Sequence, residues 1–139
     1  MKNAHALEDV RIHVRFKLSA LWTSVMFCYL YGDYFGLYVP GALQRMLDGK
    51  MGPFGPTTQG ILIGTSFMMA IPSVMVFLSL GLKASLSRWA NVIFGLTYTA
   101  IILYTRWGWA FFVFLGVIEI ALTLMIAWYA WSWQRQEQN

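Results

Sequence analysis

The chain has 139 residues, 58% apolar, 17% aromatic and only 12% charged, with a formal net charge of +4. That length suits one domain, and that balance belongs to a membrane protein and excludes a water-soluble domain with a charged surface. The positive charge reads as an orientation signal and a contact for anionic lipid, not as a nucleic-acid footprint.

Residues 1–17 form a basic inner-side segment with Lys2, Arg11, Arg15 and Lys17 beside Glu8 and Asp9. Val10, Ile12, Val14 and Phe16 alternate there with Arg11, His13, Arg15 and Lys17, a period of two that predicts an extended segment on the membrane surface. The apolar run that follows is longer than a signal-peptide core, so the start reads as an uncleaved anchor. Uncharged stretches at Leu18–Gly32, Met51–Leu82, Trp89–Thr105 and Trp107–Gln134, the last broken only by Glu119, compare with the roughly 20 residues that cross a bilayer. They predict an all-α membrane protein: an antiparallel four-helix transmembrane bundle within 18–133, with spans at 18–39, 60–82, 89–105 and 109–131 and an inner C-terminal tail at 134–139. The third span is short and leans on Arg88 and Arg106 as snorkelling ends.

An even number of spans puts both termini on one side. Seven Lys and Arg fall there against three opposite, which predicts that both termini are on the inner, cytoplasmic side. Between spans one and two, Leu43, Met46 and Leu47 at helical spacing predict a short outer amphipathic helix, and the Gly- and Pro-rich 49–56 a rigid turn. Trp22, Trp107, Trp109, Trp128, Trp131 and Trp133 read as interfacial anchors.

Asp33 and Glu119 are the carboxylates inside the apolar runs, and ionisable groups there mark function. By helix rise they lie about 10 and 15 Å below the outer surface. Either they share a cavity, as a proton acceptor or cation site, or Glu119 is neutral interhelical glue while Asp33 pairs with Arg106. Gly116, Thr123, Ala127 and Ala130 put Glu119 on a narrow inward face. Asn91, Gly95, Tyr98 and Ile102 make the matching face of span three, and Tyr29 and Tyr98 complete a candidate polar lining. Gly32 and Gly36, and Gly60 and Gly64, each four apart, predict close packing of spans one and two. Pro72 removes a backbone donor and frees a carbonyl near Met68, which Thr65 or Ser73 could satisfy. Met68, Met69 and Met75 around it suit an adaptable pocket. His5 and His13 are too few for a metal site. Cys28 is alone and makes no intrachain disulfide.

Tyr29-Leu30-Tyr31-Gly32-Asp33-Tyr34-Phe35, Tyr38-Val39-Pro40-Gly41, Gly49-Lys50-Met51-Gly52-Pro53 with Thr58-Gln59, Val117-Ile118-Glu119-Ile120 and Trp128-Tyr129-Ala130-Trp131 together resemble a family of small bacterial four-span membrane proteins known only as a domain of unknown function, loosely DoxX-like. The resemblance implies four helices in an inner membrane and transfers no catalytic residue. Three functions are open: binding or conversion of a small lipophilic ligand inside the bundle, an accessory or scaffold subunit that contacts a membrane partner, and proton or cation permeation through a homo-oligomer. No motif names a cofactor or decides between enzyme and binder.

Overall fold

A computed structural model describes residues 10–133, so the expectations for Lys2, His5, Glu8, Asp9 and Arg135 lie outside the described residues. Five α-helices follow in order: α1 (Val14–Gly36), α2 (Ala42–Leu47), α3 (Gln59–Gly81), α4 (Ala84–Thr105) and α5 (Ala110–Trp131). A 3-10 turn over Gly52–Phe54 lies between α2 and α3. The described residues form no strand beyond an isolated bridge between Lys50 and Pro56. Three helices, α3, α4 and α5, are long and apolar enough to cross a membrane. With 23 residues α1 equals α3 in length, but it carries Arg15, Lys17 and Asp33.

Several boundaries differ from the expected ones for local reasons. The extended segment predicted through Lys17 stops at His13, whose Nδ1 accepts a hydrogen bond from the Arg15 amide at 3.3 Å and starts α1 at Val14. Such caps satisfy an amide that has no intrahelical partner. The third long helix is not short. Ala84–Arg88 contains no Gly or Pro and is helical, so α4 has 22 residues, about 33 Å of helix. Thr58 caps α3 by accepting from the Ile61 amide at 3.3 Å. As expected, a short helix and a tight turn fill the long connection: α2 presents exposed Leu43, Met46 and Leu47, and the Met51 amide closes the turn on the Gly55 carbonyl at 2.8 Å.

The four long helices pack in a ring, α1 against α3 and α5, and α4 against α5 and, with the smallest contact, α3. Buried Leu18, Trp22, Val25, Tyr29 and Gly32 mark one stripe of α1, at the i, i+4, i+7 spacing of a single helix face. The expected inward faces of α4 and α5 are indeed buried, including Asn91, Gly95, Tyr98 and Ile102 on one and Gly116, Glu119, Thr123 and Ala127 on the other. These two helices approach closely at Gly95, where an added Cβ would lie 3.1 Å from the Thr123 carbonyl oxygen and 3.2 Å from the Ala127 nitrogen.

The end of the ring where α1 begins and α5 finishes is sealed by polar contacts. Trp22 is fully buried and is not an interfacial anchor. Its Nε1 donates to Asn91 Oδ1 at 2.8 Å, and Ser79 Oγ donates to the same oxygen at 3.1 Å. Asn91 Nδ2 donates to the Ser87 carbonyl at 2.8 Å, and Ser87 Oγ to the Ser79 carbonyl at 3.1 Å. The network joins α1, α3 and α4 and leaves no Asn91 side-chain atom without a partner, as a buried amide requires. Two cations at this end serve neighbouring helices: Arg15 donates to the Leu80 carbonyl and Arg88 to the Trp131 carbonyl, each at 2.9 Å. They reach carbonyls that a helix end leaves unpaired, with favourable charge for a C-terminus.

Candidate functional site

At the opposite end of the ring, α4 finishes at Thr105 and the chain turns back through Gly108, whose φ of +117° suits glycine. Arg106 caps α4 with its amide, which donates to the Ile102 carbonyl at 2.9 Å. Its side chain does not snorkel outward. Arg106 Nε donates to Glu119 Oε2 at 3.1 Å, with Glu119 fully buried and Arg106 14% exposed. The expected pairing of Asp33 with Arg106 is therefore corrected: the partner is Glu119.

Two glycines make room for this cation. A Cβ on Gly116 would stand 2.8 Å from Arg106 Cβ, and one on Gly32 would stand 3.2 Å from Arg106 Nη1. The guanidinium lies over the rings of Tyr29 and Phe112, at 5.5 and 5.6 Å from their centres, in cation–π range. The predicted glycine contact between the first two long helices does not form. Gly32 faces Arg106 and Gly36 faces the Phe112 ring, whereas Gly64 has nothing within 4 Å and Gly60 only its own cap, Thr58.

Above the pair lies a cavity of about 780 Å³ whose walls come from α1, α3, α4, α5 and the 49–56 turn. It lies between α3 and α4, the pair with the smallest contact in the ring, away from the Ser79–Asn91–Ser87 tie. Tyr29, Asp33, Tyr98 and Arg106 line it together with Met68 and Met69, and Met51 and Phe54 reach in from the turn. Met75, expected beside the pocket, is core instead. Exposed Leu62, Ser66, Thr105 and Trp107 on its walls leave it open to the outside of the molecule.

The two carboxylates have different surroundings. Glu119 is sealed behind Arg106 and does not line the cavity, while Asp33, expected to be buried, is exposed on its wall. Glu119 Oε1 and the Tyr29 hydroxyl are buried with no hydrogen-bond partner. Tyr98 donates its hydroxyl to the Met68 carbonyl, the group four residues before Pro72 that the proline leaves without an amide. The donor is thus Tyr98, not Thr65 or Ser73, which bond to Ile61, Leu62 and Met69 carbonyls on their own helix.

A buried ion pair contributes little net stability unless further hydrogen bonds complete it, and here one carboxylate oxygen has none. What the pair does is hold a guanidinium at the foot of an apolar cavity. Among the described residues Nε is the only Arg106 side-chain nitrogen that makes a hydrogen bond. The sequence singles out Asp33, Glu119, Tyr29, Tyr98 and Arg106 as candidates, and the structure places all but Glu119 on the cavity wall; the sequence did not bring Arg106 to Glu119 or the turn residues Met51 and Phe54 to the same space. The signal for the pairing was Gly116, one helical turn before Glu119 on the inward face.

No curated protein and no solved structure matches the chain. A family model matches residues 7–139, and the chain belongs to that family, a family of unknown function (DUF6326).

Proposed function

We propose that the protein spans an inner (plasma) membrane four times, with α1 as the fourth span and both termini cytoplasmic, and binds a small lipophilic molecule in the cavity between α3 and α4. The observation that carries this reading is the cavity itself: its volume of about 780 Å³ falls within the roughly 300–1,000 Å³ of small-molecule sites, and its walls are mostly apolar with a few converging polar groups. The buried, unpartnered Tyr29 hydroxyl and the Asp33 carboxylate on the wall supply orienting contacts for a polar head. Arg11, Arg15, Lys17, Lys83 and Arg88 at the terminal end support the orientation, and the turning inward of Arg106 removes one of the few cations opposite. A cavity on the outer side, open beside α3, admits a molecule dissolved in the bilayer.

The test is a cavity-filling substitution. Ser66 is exposed on the cavity wall, and Ser66→Phe should abolish saturable uptake of lipophilic probes by the purified full chain without changing its helical circular dichroism. Uptake equal in Ser66→Phe and the parent chain would refute the reading.

A further inference from the structure

We infer that the cavity takes a lipophilic organic cation, an amine or quaternary ammonium on an apolar body, with the Asp33 carboxylate as its counterion. The inference rests on the cavity-binding reading above and adds the ligand's chemical class. It comes from which charges are already matched. Asp33 and Arg106 are the charged residues among those lining the cavity, and Arg106 is bonded to the sealed Glu119. The Arg106–Glu119 bridge is the one ion pair among the described residues, so Asp33 has no cationic partner within ion-pair distance. With both carboxylates ionised the site has one formal positive charge against two negative ones, and the unmatched charge faces the cavity.

An anionic ligand would bring a third negative charge towards a single guanidinium already engaged, in surroundings where charges are weakly screened. A neutral ligand would desolvate Asp33 without compensating it. A cation does both jobs: its body occupies the apolar walls and its charge meets the carboxylate. The remaining wall chemistry agrees. The Tyr29 ring is covered by Arg106, but the rings of Phe54 and Trp107 also line the cavity, and aromatic faces attract cations. The Tyr29 hydroxyl, 4% exposed as a residue and without a partner, can accept a hydrogen bond from an ammonium N–H. Met51, Met68 and Met69 give a polarisable wall that adapts to differing bodies.

The experiment is equilibrium binding of three probes of similar shape and different charge to the full chain in nanodiscs of uncharged lipid: tetraphenylphosphonium, tetraphenylborate and triphenylphosphine oxide. Tetraphenylphosphonium is expected to bind roughly tenfold or more tighter than the other two, to weaken by a similar factor in Asp33→Asn, and to recover in Asp33→Glu. Helical circular dichroism and an unchanged melting transition establish that each variant folds. Equal or tighter binding of the anion or the neutral probe, or unchanged cation binding in Asp33→Asn, overturns the inference. Ser66→Phe separates the two levels. If it blocks the neutral probe while charge makes no difference, the cation assignment fails and the cavity reading stands; if it blocks none of the three, both fail.

Discussion

Gly116→Ala adds a single methyl group where the slot for Arg106 is narrowest. The new Cβ would lie 2.8 Å from Arg106 Cβ and 3.2 Å from its Cγ, with Ile102 Cγ2 at 3.8 Å. Carbon atoms pack at about 3.5–4.0 Å, so α5 and the Arg106 stem must separate by roughly 1 Å. The nearer of these atoms, Arg106 Cβ, is fixed by a backbone whose amide caps α4, and no rotamer change moves it. Overpacking of this kind costs about 1–3 kcal/mol, against a gain of about 1 kcal/mol from replacing glycine by alanine within a helix. The expected net effect therefore runs from about neutral to a loss of about 2 kcal/mol, and the variant should fall about 1–3 kcal/mol below a glycine-to-alanine change made in open space. Gly64→Ala is the matched control, since nothing lies within 4 Å of its added Cβ, and it should be neutral or stabilising by up to about 1 kcal/mol. Reversible unfolding in mixed micelles, followed by the fluorescence of the tryptophans, measures both. If Gly116→Ala proves as stable as Gly64→Ala, the slot for Arg106 is not there and the inward course of its side chain is wrong.

Arg106→Leu and Glu119→Leu should each destabilise the protein by about 3–5 kcal/mol, while the double substitution recovers most of the loss, because one member of a buried pair is costly only when left alone; additive losses in the same unfolding assay would deny the pairing. Tyr98→Phe should cost about 1–3 kcal/mol by stranding the Met68 carbonyl, and much less in a Pro72→Ala background, where the restored amide takes that carbonyl; equal losses in the two backgrounds would disconnect Tyr98 from Pro72. Trp22→Phe removes one of the two donors to Asn91 Oδ1 and should lower stability by about 0.5–1.5 kcal/mol, whereas Trp128→Phe, at an exposed position, should change it by less than about 0.5 kcal/mol.

The parts of this architecture that were legible in the sequence are those fixed by helical period. Gly116, Glu119, Thr123, Ala127 and Ala130 share one face of α5 because 3.6 residues make a turn, and a face of small side chains can only be the one pressed against another helix. Asn91 and Tyr98 on α4 followed in the same way. Periodicity is silent about a residue at a helix end. Arg106 belongs to a cap, its side chain is long, and whether it runs out to the headgroups or back along the helix depends on vacant volume between helices. That volume comes from Gly32 and Gly116 on two different helices, which no single-helix pattern connects. Trp22 failed for a related reason. A tryptophan near a span end fits interfacial anchoring by composition alone, and the competing claim came from Asn91, a buried amide whose oxygen needed donors from elsewhere. The glycine pairs misled because spacing marks a flat face without saying what lies against it.

The two ends of the ring differ in how polar groups are satisfied, and the difference locates the site. At the terminal end Asn91, Ser79, Ser87 and Trp22 exchange hydrogen bonds across three helices, and Arg15 and Arg88 bond to neighbouring helix ends. A satisfied buried network of that sort fixes its helices in one arrangement. At the other end the Met68 carbonyl, left without an amide by Pro72, accepts from Tyr98 of α4, and a guanidinium, a tyrosine hydroxyl and two carboxylates face or flank the cavity with donors and acceptors unused. Polar groups so placed weaken the fold and are tolerated where they do something else, most often at functional sites. Rigidity at one end lets the other stay open without the helices separating, so the cavity is a consequence of where the chain puts its hydrogen bonds, and the Tyr98–Met68 contact is the boundary between the two regimes.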